Sequence, residues 1–198
     1  MNLPNKITVS RFILSMILFI ILYFIPKNLT EQYYRYTLDI ALVIFIIAGS
    51  TDIIDGYLAR KYNLVTAFGR IADPFADKVL VCGSFIYFIS LTNFVLPWMV
   101  IIIIARELLV SNLRSYIESL GYKFGASISG KLKMFFQSLT AVLIFLYLAH
   151  GQNIHTIIDI TMLVMVYLTV FFTALSGITY IINAAKILSQ SNQKANII

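Results

Sequence analysis

Long apolar stretches follow one another along almost the whole chain, and only short polar connectors separate them. A helix needs about 20 mainly apolar residues to cross the hydrocarbon layer of a membrane. Six stretches reach roughly that length, and they run from about Ile7 to Ile25, Tyr36 to Arg60, Ile71 to Leu91, Val95 to Tyr116, Gly130 to His150 and His155 to Lys186. The pattern predicts an all-α fold, a polytopic membrane bundle of six transmembrane helices.

The composition agrees with a membrane protein. Of 198 residues, 60% are hydrophobic and 12% are charged, whereas soluble domains carry about 25% charged residues. The six crossings use nearly all of the chain, so we expect one integral membrane domain over residues 1–198, with a juxtamembrane segment at about residues 1–10. The first crossing has no small-residue cleavage site near Pro26, so we expect it to be uncleaved. The single cysteine, Cys82, excludes a disulfide within the chain.

The basic residues are distributed unequally between the two sides of the predicted bundle. With six crossings, Lys27 and Arg35 lie on one side, and the other 13 of the 15 Lys and Arg residues lie on or toward the opposite side. Basic residues are enriched on the cytoplasmic side of membrane proteins. The distribution therefore predicts that both termini are cytoplasmic.

Four aspartates lie in predicted crossings, where a charge costs roughly 2.5 to 3.5 kcal/mol and needs compensation. Asp52 and Asp55 are three residues apart, and Asp73 and Asp77 are four apart, so each pair shares one helical face. The connector between the two helices is short, so we expect them to be antiparallel neighbours that bring all four carboxylates to the cytoplasmic boundary.

Four carboxylates this close together repel one another unless protons or cations compensate. Hard divalent cations with oxygen ligands meet this need, and Mg²⁺ usually arrives with substrate phosphates that complete its coordination shell. The alternative is that the aspartates only cap helices or form ion pairs with neighbouring basic residues. Those neighbours are Arg60, Lys61, Arg70 and Lys78.

The aspartates belong to a longer pattern with defined spacing. It reads Asp52, two spacers, Asp55, Gly56, two spacers, Ala59, Arg60, eight spacers, Gly69, three spacers, Asp73, three spacers, Asp77. At each of these positions the chain resembles the CDP-alcohol phosphatidyltransferase family. The resemblance implies six transmembrane helices, a homodimer, and displacement of CMP from a CDP-linked lipid or alcohol by an acceptor hydroxyl.

The same resemblance implies roles for the signature residues. Asp52, Asp55 and Asp73 would hold two Mg²⁺ or Mn²⁺ ions against the pyrophosphate, with Asp77 also near a metal. Asp77 would be the general base, taking the proton of the acceptor hydroxyl. The positions that match the CDP site are Gly56, Ala59, Arg60 and Gly69.

Four basic residues in the second half of the chain bear on the acceptor. Arg106 and Arg114 lie eight residues apart, and Lys131 and Lys133 open the next crossing. A dianionic phosphate on the acceptor would satisfy these cations, and positive-inside topology is the alternative explanation. Glu107 could orient Arg106 or could be an ordinary boundary residue.

Further blocks resemble the bacterial branch of the family whose donor is CDP-diacylglycerol and whose acceptor is glycerol 3-phosphate. These blocks are Leu3 to Thr8 with Arg11, Gly56 to Lys61 followed by Asn63 to Thr66, Arg106 to Leu108 with Arg114, and Gly130 to Lys133. In that branch, Arg106, Arg114, Lys131 and Lys133 match positions that hold the acceptor phosphate.

Three other functions are compatible with parts of this pattern. A related transferase could use another acceptor, such as inositol phosphate. A membrane prenyltransferase also uses two aspartate-rich motifs, but those lie far apart in sequence, whereas Asp55 and Asp73 are close. A transporter or proton relay would distribute carboxylates through the membrane depth, whereas these four cluster toward one boundary.

Overall fold

The chain is almost entirely helical. The computed structural model describes the backbone of residues 3–25, 31–61, 67–122, 125, 127–151 and 156–195, and the side chains of residues 7–25, 31–51, 72–122, 125, 127–151 and 156–189. Over this backbone the helices are α1 (Leu3–Tyr23), α2 (Glu31–Lys61), α3 (Ala67–Leu91), α4 (Pro97–Ser119), α5 (Ile128–Leu146) and α6 (Thr156–Ala195). A π-helical turn, Tyr147–Gly151, continues α5. The predicted all-α bundle of six helices is confirmed.

The helices differ in how apolar they are. Within the described part of the chain, four apolar segments are long enough to cross a membrane: Glu31–Thr51, Ala72–Leu91, Ile128–Gly151 and Thr156–Ser189. The apolar part of α1 is shorter, Ile7–Tyr23, and α4 carries Arg106, Glu107 and Arg114. A charged side chain is tolerated within a membrane when it faces the interior of the bundle. The burial of Arg11 and Glu107 fits this rule.

Local sequence accounts for the starts of α4 and α5. α4 begins with Pro97, which suits a first turn because the N–H it lacks would have no partner within the helix. α5 is capped by Ser127, whose hydroxyl oxygen accepts a hydrogen bond from the N–H of Gly130 at 3.1 Å. Between the two helices, Gly121 adopts a positive φ of 83°, a conformation that glycine adopts without strain. These signals fix where α5, with Lys131 and Lys133, begins.

The six helices pack as two groups of three. In the first group, α1 contacts both α2 and α3; in the second, α6 contacts both α4 and α5. The groups meet where α2 and α3 contact α5 and where α3 contacts α4. α2 and α3 also touch each other directly, as expected from their short connector.

An aromatic cluster forms the centre of the main core. The ring of Phe145 lies 5.6 Å from that of Phe45 and 5.0 Å from that of Phe88, and Phe88 lies 5.7 Å from Phe85. These residues come from α2, α3 and α5, so the core joins the two groups of helices. A smaller cluster between α4 and α6 consists of Val110, Ile117, Tyr180 and Ala184. Inside a membrane such contacts stabilise through close van der Waals packing.

Candidate active site

Asp73 and Asp77 lie on consecutive turns of α3, as their spacing predicts. Both side chains are partly buried, and the side chain of Asp77 is 36% exposed. They are therefore accessible from one side of the bundle and contact protein on the other.

The protein contacts of both aspartates come from α1. Arg11 is fully buried, and its Nη1 lies 2.5 Å from Oδ1 of Asp77, while its Nε donates to the hydroxyl of Thr51 on α2 at 3.3 Å. One turn earlier, the hydroxyl of Thr8 donates to Oδ1 of Asp73. The polar face of α1 thus holds the two aspartates of α3.

Sequence reasoning placed Arg11 among the basic residues of the cytoplasmic side and within a family-like block, but gave it no partner. The ion-pair alternative named Arg60, Lys61, Arg70 and Lys78 instead. Of those four, only the side chain of Lys78 is described, and its Nζ contacts the hydroxyl of Ser111 on α4. The signal available in the sequence was an arginine within the first crossing, directly before the apolar residues Phe12 to Leu14.

The remaining signature residues lie outside the described side chains. They are Asp52, Asp55, Gly56, Ala59, Arg60 and Gly69. Among the side chains that are described, no group of three or more His, Cys, Asp and Glu residues could hold a metal ion. The described half of the predicted metal set, Asp73 and Asp77, offers the carboxylate oxygens that Mg²⁺ and Mn²⁺ prefer.

A second cluster of charges lies where α4, α5 and α6 meet. The carboxylate of Glu107 binds Nη1 of Arg106 at 3.2 Å and also binds Nζ of Lys133. All three side chains are nearly buried, with exposed fractions of 9%, 10% and 6% for Arg106, Glu107 and Lys133. The structure therefore brings two of the four predicted phosphate-binding cations together through Glu107, and it places Glu107 against Arg106, as one of the two sequence interpretations expected.

The other two predicted cations have different surroundings. Nη2 of Arg114 donates to the hydroxyl of Tyr180 on α6 at 3.2 Å. Lys131, in the first turn of α5, is exposed. In the described part of the structure, the buried Nε atoms of Arg106 and Arg114 have no hydrogen-bond partner. Two guanidinium N–H groups of the cluster thus lack a protein acceptor among the described residues.

The two sites lie on adjoining helices. Lys78 follows Asp77 directly in α3, and its contact with Ser111 lies one turn beyond Glu107 on α4, where the Ser111 hydroxyl donates to the Glu107 carbonyl at 2.8 Å. Lys78 is also within electrostatic range of Arg106. Sequence reasoning found no role for Ser111 and did not single out Tyr180, because their partners are remote in sequence.

The polar residues at the opposite ends of the helices form separate pairs. Nε2 of His150 lies 2.9 Å from Oδ1 of Asp39, and the hydroxyl of Tyr147 donates to Asp159 at 2.7 Å. The side chain of His150 is 54% exposed. These pairs link α2, the π-helical turn and α6, and they contain none of the predicted site residues.

Comparison with known proteins shows which sequences this chain is similar to. Residues 1–175 match the family described as CDP-alcohol phosphatidyltransferase. The chain is similar to CDP-diacylglycerol–glycerol-3-phosphate 3-phosphatidyltransferases from three bacteria. The Bacillus subtilis (strain 168) protein is 35% identical, and the alignment covers 96% of this chain and 99% of that protein. The Rickettsia typhi protein is also 35% identical, and the alignment covers 90% of this chain and 94% of that protein. For Haemophilus influenzae the identity is 32%, over 91% of each chain.

Proposed function

Because this chain belongs to the CDP-alcohol phosphatidyltransferase family, we propose that it transfers the phosphatidyl group of CDP-diacylglycerol to glycerol 3-phosphate. The products are phosphatidylglycerophosphate and CMP. The names of relatives aligned over nearly their whole length support this donor and acceptor. The family is generally metal-dependent, and the chain is a membrane protein.

The observation that supports a phosphorylated acceptor is the nearly buried cation cluster beside the aspartate-bearing helix. Arg106, Arg114 and Lys133 contribute three positive charges. Among the described residues, the Glu107 carboxylate pairs with Arg106 and Lys133, and Arg114 donates to the Tyr180 hydroxyl. This excess of positive charge favours a dianionic phosphate, and guanidinium groups bind phosphate through paired hydrogen bonds. An uncharged acceptor such as free inositol would leave that excess uncompensated.

The metal site of this proposal consists of Asp52, Asp55, Asp73 and Asp77, which would hold two Mg²⁺ or Mn²⁺ ions. Their oxygen ligands suit hard cations, and Asp73 and Asp77 share one face of α3. Bound ions would neutralise the pyrophosphate and stabilise the charge on departing CMP. Removal of the metal with EDTA should therefore stop CMP release, and added Mg²⁺ or Mn²⁺ should restore it.

The chain's own residues would position the two substrates for attack. Arg106, Arg114, Lys131 and Lys133 hold the acceptor phosphate, and a set matched by resemblance shapes the CDP site: Gly56, Ala59, Arg60 and Gly69. The acceptor hydroxyl attacks the phosphorus that bears diacylglycerol, and the bond from that phosphorus to the bridging oxygen breaks, so that oxygen leaves with CMP. Asp77 takes the hydroxyl proton.

The proposed enzyme has a defined orientation in the membrane. The protein lies in the bacterial cell membrane, and both termini and the active site face the cytoplasm. This orientation follows because 13 of the 15 Lys and Arg residues fall toward that side. The whole chain, residues 1–198, acts as one catalytic domain. A homodimer is the assembly implied by resemblance to the family.

The deciding experiment uses purified protein, labelled CDP-diacylglycerol and a panel of acceptors. We expect Mg²⁺-dependent CMP release with glycerol 3-phosphate and little release with glycerol or inositol phosphate. Release that requires inositol phosphate would replace the acceptor but keep the reaction class. An absence of release with every acceptor, together with ion flux in vesicles, would favour a transporter.

A further inference from the structure

Three residues of α6 contact the cation cluster just beyond the stretch that matches the family. That stretch ends at residue 175, and Ser176, Gly177 and Tyr180 follow it. Ser176 is fully buried and Tyr180 is 4% exposed. These residues form one side of the cluster, beyond the matched residues 1–175.

Arg106 lies along this part of α6. Its Nη2 donates to the hydroxyl of Ser176 at 2.6 Å, and its guanidinium carbon lies 5.3 Å from the centre of the Tyr180 ring. A Cβ at Gly177 would come within 3.3 Å of Cγ of Arg106. The absence of a side chain at Gly177 allows this close approach, and the aromatic ring attracts the cation.

Tyr180 also contacts Arg114 and the start of α5. Its hydroxyl oxygen accepts from Nη2 of Arg114 at 3.2 Å and from the backbone N–H of Ser127 at 3.3 Å. Its ring centre lies 6.0 Å from the guanidinium carbon of Arg114. One side chain thus contacts both arginines and the segment that carries Lys131 and Lys133.

We propose that Tyr180 is a positioning residue that orients Arg106 and Arg114 for the acceptor phosphate, and that Ser176 and Gly177 complete the α6 wall of that site. The inference rests on the proposed function. Each arginine is held by α6 through Nη2, while its buried Nε has no partner among the described residues. A guanidinium fixed in this way presents its remaining N–H groups in the planar arrangement that binds phosphate oxygens.

The test separates the two substrates of the reaction. Tyr180→Phe removes the hydroxyl and keeps the ring. We expect the KM for glycerol 3-phosphate to rise about tenfold, in line with the loss of one hydrogen bond to a charged group. The KM for CDP-diacylglycerol should stay within about twofold, which is less than half of that effect on a free-energy scale. The matched control is Tyr167→Phe, the same change on α6 at a half-exposed site, which should leave both KM values unaltered.

A double mutant tests whether Tyr180 acts through Arg114. If it does, the double mutant Tyr180→Phe with Arg114→Ala should have the same KM for glycerol 3-phosphate as Arg114→Ala alone. The reason is that the effects of substitutions at coupled residues do not add. Fully additive effects would overturn the positioning role. If Tyr180→Phe does not fold, Ser176→Ala removes the acceptor for Arg106 and should give the same substrate-specific rise in KM.

The outcomes distinguish this inference from the proposed function. A wild-type enzyme that turns over glycerol 3-phosphate while folded Tyr180→Phe keeps a normal KM would reject the positioning role alone. Equal increases in KM for both substrates would reject it as well, because they indicate a general structural effect. A wild-type enzyme that releases no CMP with glycerol 3-phosphate would reject the proposed acceptor and this inference together.

Discussion

Glu107 should be essential for stability because it neutralises two nearly buried cations. Its Oε1 contacts both Arg106 and Lys133, whose side chains are 9% and 6% exposed. Removing one partner from a buried charge pair costs about 3–5 kcal/mol. Glu107→Gln keeps the shape of the side chain and one acceptor oxygen. We therefore expect the free energy of unfolding to fall by the lower end of this range, about 3 kcal/mol. For a chain of this length that corresponds to a decrease in Tm of about 6–12 °C.

The assay is thermal unfolding in one detergent, followed through the fluorescence of the single tryptophan, Trp98, which lies on α4. Glu118→Gln is the matched control, because it is the same change on the same helix at an exposed site, where substitutions usually stay within about 0.5 kcal/mol. Inorganic phosphate should raise the Tm of Glu107→Gln more than that of the wild type, because the anion replaces the lost negative charge. Sodium chloride at equal ionic strength should not.

Equal Tm values for Glu107→Gln and Glu118→Gln would refute this reasoning. That result would mean that water or another group already compensates Arg106 and Lys133. A lowered Tm that phosphate does not restore would keep the structural role of Glu107 but argue against an anion site at these cations.

Two further predictions concern catalysis and packing. Asp77→Asn should abolish CMP release while CDP-diacylglycerol still binds, which equilibrium binding beside an activity assay would show; a near-normal rate would remove Asp77 from the mechanism. Gly83→Ala should destabilise the bundle by about 1–3 kcal/mol through overpacking, because a Cβ there would come within 2.1 Å of the Phe19 ring. Gly49→Ala is its control, since no described atom lies within 4 Å of a Cβ there, and similar Tm values for both would contradict the predicted clash.

Much of this protein could be predicted from local patterns. The apolar stretches predicted six helices and a membrane protein, because the length of an apolar helix and the thickness of a bilayer are fixed by simple geometry. The spacing of Asp73 and Asp77 placed them on one helical face for the same reason. The spaced signature predicted the family, which the comparisons confirm.

The partners of the site residues depended on tertiary structure. Arg11 and Asp77 are 66 residues apart, as are Arg114 and Tyr180. Their contacts exist because α1 packs against α3 and α6 packs against α4. The spacing of apolar residues along a helix shows that one face is buried, but it does not show which other helix packs against that face. The sequence by itself therefore determined the helices and the charges along them, while only the folded bundle decided which charges neutralise one another and which buried donors lack a protein acceptor.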